Sequence, residues 1–448
     1  MNKKEKTYYA LSSPPGRSAT ASIRISGPRS LATLCKLTTK NEHIFKHGTT
    51  RLCNIYNKNN ILLDRSVVVF YRKPKSYTGE DVVEIHTHGN PLIIQSIFNE
   101  LSNFGLRPAD PGEFTRSAYL NNKIDLVQAE AVLSLINAQT NKGVELSINS
   151  ASGSLSSHLK KLRGSLINAL SHVEYELDIS EMDNHSKTLK LIVKDIEKTT
   201  KHINNLIKSY NTLRLLRDGI RVIIVGAPNV GKSTLFNALL GQDRAIVTNQ
   251  PGTTRDAIES SLQILNYSIL LVDTAGIRET KKLIESEGIK KTKLEIADAD
   301  LIYHVLDSTT KKNIKKLPTT TKTITIYSKS DLLSKQEKES LIRGNNEAVV
   351  VSGKLGMGLK KLTQKTTKAI ESSITQKESV YITSKRQQTI LLNAFKALNS
   401  AQSPEVLGQL ELISIHLKDA INQFDWLLGK TTADDILNTI FSEFCVGK

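Results

Sequence analysis

Three cysteines in 448 residues, Cys35, Cys53 and Cys445, are too few and too scattered for a disulfide framework or a zinc site. That usage suits a reducing compartment, and a cytoplasmic protein is expected. Long hydrophobic runs are also missing. No stretch approaches the ~20 apolar residues of a membrane span, so no membrane association is expected. The opening "MNKKEKTYYALSSPPG" has a basic tip but no apolar core, and Pro14 and Pro15 follow early, which argues against a secretory signal. The last four residues, Cys445-Val446-Gly447-Lys448, place a cysteine where a prenylation box has one. Gly447 and Lys448 fit neither the aliphatic middle nor the usual terminus of such a box. No internal repeat is present.

What is present bounds the answer further. A chain of this length implies two to four domains. The 39% hydrophobic and 23% charged residues fit a globular chain. The net charge of +17 is compatible with a polyanionic partner such as nucleic acid, but the lysines are spread along the chain, and a general Lys-rich bias explains them equally well.

Residues 1–118 read as α/β. "ASIRIS", "SVVVFYR" and "DVVEIHTHG" are β-rich runs, and "PLIIQSIFNELSNFG" predicts a helix closed by Gly105. Residues 119–215 read as helical, with Leu126, Ala129, Leu133 and Ile136 on one helical face and Ile192, Ile196, Ile203, Leu206 and Tyr210 on another. "DISEMDNHSKT" between them reads as a loop. From 216 to 378 strands alternate with helices, as in a doubly wound parallel sheet: "IRVIIVG", "SILLVDTAG", "LIYHVLD", "KTITIYSKSD" and "EAVVVSG". Residues 379–448 return to helix. The expected architecture is an N-terminal α/β domain followed by an all-α domain interrupted by a Ras-like P-loop domain.

"GAPNVGKST" matches G-x-x-x-x-G-K-[ST] between a strand and a helix. Its backbone N–H groups, from Asn229 through Val230, Gly231 and Thr234, are placed to curl around phosphate oxygens. Lys232 reaches the β/γ-phosphates and Ser233 ligates Mg²⁺. "VDTAG" ends a strand at Asp273, which holds Mg²⁺ through water, and Thr274, Ala275 and Gly276 follow toward the γ-phosphate. In "SKSD", comprising Ser328, Lys329 and Asp331, the carboxylate pairs with the two N–H groups of guanine, a pair that adenine does not offer. "SGK", Ser352, Gly353 and Lys354, offers N–H groups to the guanine oxygen. The order of these motifs predicts a GTPase. Two departures stand out. Ser328 occupies a position where GTPases usually carry Asn, and Ile277 stands where Ras-like proteins carry the glutamine that orients water.

"GAPNVGKSTLFNALLG", "NQPGTTRD", "VDTAGIRET", "SYTGEDVVEIHTHGNP", "RPADPGEFTRSAYLNNKIDLVQAEAV" and the terminal "FCVGK" together resemble the MnmE (TrmE) family of tRNA-modification GTPases across nearly the whole chain. "SATASIRISG" departs from the family, which is richer in Gly and Val there. The resemblance implies an N-terminal folate-binding, dimer-forming domain and a helical domain split by the GTPase domain. It implies a homodimer that joins the FAD-containing protein MnmG (GidA) in a heterotetramer. That assembly places an aminomethyl-type group on C5 of the wobble uridine of certain tRNAs, with the carbon coming from 5,10-methylene- or 5-formyl-tetrahydrofolate. It further implies that Asn229 ligates K⁺ and that the loop Thr248, Asn249, Gln250, Pro251, Gly252, Thr253 completes the site, with Thr254 on Mg²⁺. K⁺ beside the phosphates neutralises developing charge as an arginine finger does. Glu285 corresponds to the water-positioning residue, Arg24, Glu84, Lys123 and Lys448 to folate-binding positions, and Cys445 to a residue of the one-carbon centre. His86 and His88 share a strand face but lack ligand partners in the sequence, and structural roles are expected for them. A ribosome-assembly GTPase accounts equally for the P-loop, "PGTTRD" and the basic charge. The "GEFT…LNNKIDL" block and the terminal cysteine fit only the tRNA-modification reading.

Overall fold

The computed structural model describes residues 7–178, 185–242, 258–264, 267–273, 296, 298–310, 321–344, 348–372, 380–403, 405–407, 409–431 and 433–448. They form two compact units. The first comprises Met1–Leu133, Ile148–Asn204 and Ser384–Lys448, and the second Ser134–Ser147 and Asn205–Thr383.

In the first unit a six-stranded sheet has the order β3-β4-β5-β2-β1-β6, formed by β1 (Tyr8–Leu11), β2 (Ser18–Ser26), β3 (Thr50–Tyr56), β4 (Leu62–Tyr71), β5 (Val82–Gly89) and β6 (Arg107–Pro108). All pairs are antiparallel except β1 with β6. Period-two alternation decides its two faces. Ile23, Ile25, Val83, Ile85, Val68 and Phe70 point into a core shared with Leu34, Leu37, Ile97 and Leu101 of the helices Ser30–Thr38 and Pro91–Asn103. The residues between them therefore turn to the opposite face. Arg24 of β2 lies directly across from Glu84 of β5 there. The three β-rich runs and the helix before Gly105 stand where the sequence placed them, and Gly105 takes a positive φ of 75°. The sequence reading passed over β1, β3, β6 and the helix Ser30–Thr38. β1 and β6 are too short to show a period. β3 is an edge strand whose first three residues are exposed.

Helices fill the rest of this unit. Ser154–Asp178 and Lys385–Ala401 both pack against Leu410–Leu428. Bidentate ion pairs tie segments distant in sequence. Arg163 holds Asp425 at 2.9 Å, and Arg386 holds Glu130, which also accepts from Gln387 and Ser384. Of the segment expected as the "DISEMDNHSKT" loop, residues 179–184 lie outside the described residues, but Asp178 closes the helix Ser154–Asp178 and His185 to Thr188 open the helix His185–Asp218, so the loop is shorter than expected.

The second unit contains a six-stranded sheet ordered β12-β11-β10-β7-β9-β8, and besides the strand-rich segment it takes in Ser134–Ser147 and residues 205–215, which were expected in the helical domain. Its strands are β7 (Ile220–Val225), β8 (Ile258–Ile264), β9 (Tyr267–Asp273), β10 (Leu301–Asp307), β11 (Thr323–Ser328) and β12 (Val349–Val350). Five run parallel, as predicted. β8 was not predicted, and it pairs antiparallel with β9 at the edge. "IESSLQI" carries too few apolar residues to show as a buried strand, as an edge position allows. Val222, Ile224, Ile269, Leu271, Tyr303, Val305 and Ile326 pack with Leu235, Phe236 and Leu239 of the helix Lys232–Gln242 and Leu359 and Leu362 of the helix Leu359–Glu371.

Candidate functional sites

The P-loop leaves β7 at Gly226 and enters the helix Lys232–Gln242. A Cβ on Gly226 would stand 2.3 Å from the Val305 carbonyl oxygen, so β10 forbids any side chain there. Asn229 and Gly231 take positive φ values of 62° and 93°, which bends the loop around a concavity lined by backbone. The Asn229 side chain is exposed at the loop tip. Lys232 is buried and donates from Nζ to the carbonyls of Gly226 and Ala227 at 3.1 and 2.9 Å. Its ammonium thus lies inside the curl of the loop, where phosphate oxygens belong.

The base-recognition corner forms where β11 and β12 end. Ser328 is buried, and its single hydroxyl faces two carbonyl oxygens, those of Val230 in the P-loop and Leu306 at 3.0 Å. Lys329 has a left-handed backbone, φ 58°, and its ammonium reaches Asp307 at 2.6 Å. Burial opposes ionisation of Asp307, but hydrogen bonds from Lys329 and Thr309 outweigh it and hold its pKa at about 2. Asp331 accepts from the Ser352 hydroxyl at 2.6 Å, which pulls its carboxyl below the ordinary value. Gly353 lies close against Thr234, with only 3.0 Å between a would-be Cβ and that carbonyl oxygen. The P-loop helix, Ser328, Asp331 and the Ser352–Gly353 turn are therefore one assembly. Asp307 was missed by the sequence reading. The sequence signal was its place at the end of the strand run "LIYHVLD"; the register that sets it opposite Ser328 comes from the structure.

Several expected residues lie outside the described residues: Thr248, Asn249, Gln250, Pro251, Gly252, Thr253, Thr254, Thr274, Ala275, Gly276 and Glu285. Asp273 ends β9, but its side chain is likewise outside them.

A second constellation occupies the polar face of the first unit's sheet. Arg24 donates from Nε and Nη2 to one Glu84 oxygen at 2.9 and 2.8 Å. Its guanidinium stands 5.8 Å from the Tyr77 ring centroid and 5.5 Å from that of Phe114. Glu80, the neighbouring carboxylate, faces elsewhere and accepts from Ser26 at 2.7 Å. Burial raises the Glu80 pKa, an effect that the Ser26 and Tyr8 hydroxyls only partly offset. Phe114 also anchors the end of the chain: its N–H donates to the Lys448 oxygen at 3.1 Å, while the Cys445 carbonyl accepts from Lys448 N–H. Gly447 has φ 97°, and a Cβ there would stand 2.3 Å from the Leu11 oxygen. The tail is thus fitted against β1 and the start of the helix Glu113–Leu120, with Cys445 exposed. Lys123 extends along the loop that carries Tyr77: its Nζ donates to Pro74 O at 3.0 Å, and its Cγ lies 3.2 Å from the Cβ position of Gly79. The structure brings the Arg24–Glu84 pair to the rings of Tyr77 and Phe114, ties Lys448 to the Phe114 backbone, and lays Lys123 against the loop that carries Tyr77. Tyr77 and Phe114 were not singled out from sequence, although both lie inside its most distinctive blocks.

The histidines have structural partners. His88 Nδ1 bonds Asp64 at 2.7 Å, and Asp64, although buried, is held well below the usual carboxylate range by Thr87, His88 and Ser66. His86 lies 3.8 Å from Glu84. Among the described residues no group of three or more His, Cys, Asp and Glu is arranged to hold a metal ion, the three cysteines are free, and no helix is long and apolar enough to cross a membrane.

Comparison with known proteins adds to this geometry. Residues 7–123 match the family described as GTP-binding protein TrmE N-terminus, and residues 126–445 match the MnmE helical domain. A tRNA modification GTPase MnmE of Fervidobacterium nodosum is 39% identical over 99% of this chain and 97% of its own length. The protein of the same name from Aquifex aeolicus is 37% identical over 98% and 99%. That from Natranaerobius thermophilus is 35% identical over 99% and 100%.

Proposed function

Because the chain belongs to the MnmE family of tRNA modification GTPases and is a GTP-hydrolysing enzyme, we propose that it couples hydrolysis to a one-carbon transfer onto the wobble uridine of tRNA. GTP occupies the P-loop and the corner of Ser328, Asp331 and Ser352. The fit is supported by the backbone-lined curl, the buried Lys232 and an Asp331 carboxylate oriented by the Ser352 hydroxyl. Ser233, Thr254 and, through water, Asp273 hold Mg²⁺. Asn229, exposed at the loop tip, holds K⁺ together with Thr248, Gln250 and Thr253. These cations neutralise charge that develops on the phosphates. Glu285 orients the attacking water in place of the glutamine that Ile277 displaces.

The tetrahydrofolate site belongs to the polar sheet face. A flat pterin needs donors and acceptors at its edge and aromatic faces beside it. Arg24 and Glu84 offer the edge groups and the exposed Tyr77 ring offers a face, while the buried Phe114 ring backs the Arg24 guanidinium. Tetrahydrofolate, when bound, supplies the carbon. Lys123 and Lys448 serve its glutamyl carboxylate. The observation that supports this half of the proposal is that Phe114, whose ring lies against the Arg24 guanidinium, also holds the tail, its backbone N–H donating to the Lys448 oxygen, three residues from the exposed Cys445. The enzyme acts as a cytoplasmic homodimer, with MnmG as the flavoprotein partner and tRNA as substrate.

The deciding test is mass spectrometry of wobble nucleosides in tRNA from cells lacking this protein. Loss of the aminomethyl-type substituent at uridine C5, restored by the intact gene and not by a Cys445→Ser gene, is expected. Unchanged wobble uridines in the deletion strain would refute the proposal. GTP hydrolysis without a change in tRNA would favour the ribosome-assembly reading.

A further inference from the structure

A cavity of about 500 Å³ opens in the first unit beside the loop that follows the helix Glu113–Leu120. Lys123 lines it together with Asn122, Asp125, Lys160 and Lys430. Three ammonium groups against one carboxylate leave it basic. Lys160 and Lys430 are each more than half exposed, and both touch carboxylates that have other donors. Asp125 also accepts from Ser156 and from the Gln128 N–H, and Asp425 also accepts both arms of Arg163. Each ammonium carries three donors, so both lysines can turn to a ligand and leave their carboxylates hydrogen-bonded. Such exposed pairs cost little to exchange.

Lys123 connects this cavity to the sheet-face site, since it lies along the loop whose Tyr77 ring faces Arg24. We infer that the cavity receives the oligo-γ-glutamyl chain of a cellular folate: Lys123 takes the first glutamate, and Lys160 and Lys430 take the carboxylates of the units beyond it. The inference rests on the folate reading above and extends it to the form of the cofactor. Shape favours this occupant over an RNA backbone. A duplex presents a convex ridge of phosphates to flat basic surfaces, whereas a flexible chain of carboxylates fills a hollow of this size.

The test compares 5-formyltetrahydrofolate bearing one or three glutamates, titrated by calorimetry into the full-length protein. The triglutamate is expected to bind roughly tenfold more tightly, as two weak ammonium–carboxylate contacts imply, with the advantage fading as salt rises. In Lys160→Gln/Lys430→Gln the two ligands should bind alike, at the parent's monoglutamate affinity, with an unchanged thermal melt. Equal affinity of both folates for the parent protein overturns the inference and leaves the folate site standing. No binding of either overturns both. A double variant that still prefers the triglutamate but binds tRNA less well overturns it too, and marks the cavity as a phosphate site.

Discussion

Replacement of Ser328 by alanine isolates what the hydroxyl does in the base-recognition corner. The oxygen stands between two buried carbonyls, Val230 of the P-loop and Leu306 of β10, and owns one proton. It satisfies one of them at a time. The hydroxyl thus makes a direct contact from this strand end to the P-loop. Alanine would leave both carbonyls facing an apolar methyl group in a site that is 5% exposed. Removing one donor from a buried acceptor costs about 1–3 kcal/mol. Since the bond joins the phosphate loop to the strand before Asp331, part of that cost falls on nucleotide binding. Fluorescence titration of a labelled GDP should show Kd rising about five- to tenfold, as a loss near 1 kcal/mol implies, with a lowered melting temperature in the nucleotide-free protein. Ser328→Asn should do the reverse and tighten binding by about 1 kcal/mol, because an amide has two protons for the two carbonyls and an oxygen to spare. An alanine variant that matches the parent in both titration and melt would refute the idea that this hydroxyl ties the loop down.

Asp331→Asn should abolish the preference for guanine over adenine or xanthine bases, measured by competition with the three nucleotides. GTP hydrolysis should run faster in K⁺ than in Na⁺ at equal ionic strength, and Asn229→Ala should erase that difference; equal rates in the parent enzyme would end the potassium assignment. Glu285→Ala should lower kcat by ~10²-fold or more with little change in GTP affinity, as a group acting in the transition state requires. The Asp307 carboxyl titrates at about 2, below its ordinary 3.8, so its pair with Lys329 stabilises the fold above pH 3.8 and is lost as pH falls toward 2. Asp307→Asn should therefore lower the melting temperature at neutral pH, and the gap from the parent should close across that acid window. Gly447→Ala, which places a Cβ 2.3 Å from the Leu11 oxygen in a backbone conformation that alanine resists, should weaken folate binding and leave GTP hydrolysis intact.

The parallel strands of the second unit were legible because each is a nearly continuous apolar run, the mark of a strand buried on both faces, and each ends in a recognisable loop motif. β8 was not, because an edge strand can carry "ESS" without penalty. In the first unit the alternation around Arg24 and Glu84 was visible, but not the pairing that sets them opposite each other, which depends on the register between β2 and β5. Nor did any local pattern bring Phe114 to Lys448 or Arg163 to Asp425. Contacts of that kind are fixed by packing over long sequence separation, and only the resemblance pointed to the tail.

The docked tail also has a bearing on when this protein becomes complete. Tyr119 donates to the carbonyl of Gly429, 310 positions away, and the helix that begins near Phe114 holds the tail beyond it. During synthesis the N-terminal sheet has all its strands long before those partners leave the ribosome. A chain made as far as Thr383 then carries a finished sheet and a finished GTPase unit, but its thiol has not arrived. If the proposed one-carbon role of the tail holds, hydrolysis is available earlier than that chemistry, and a chain cut short near its end should still hydrolyse GTP without modifying tRNA.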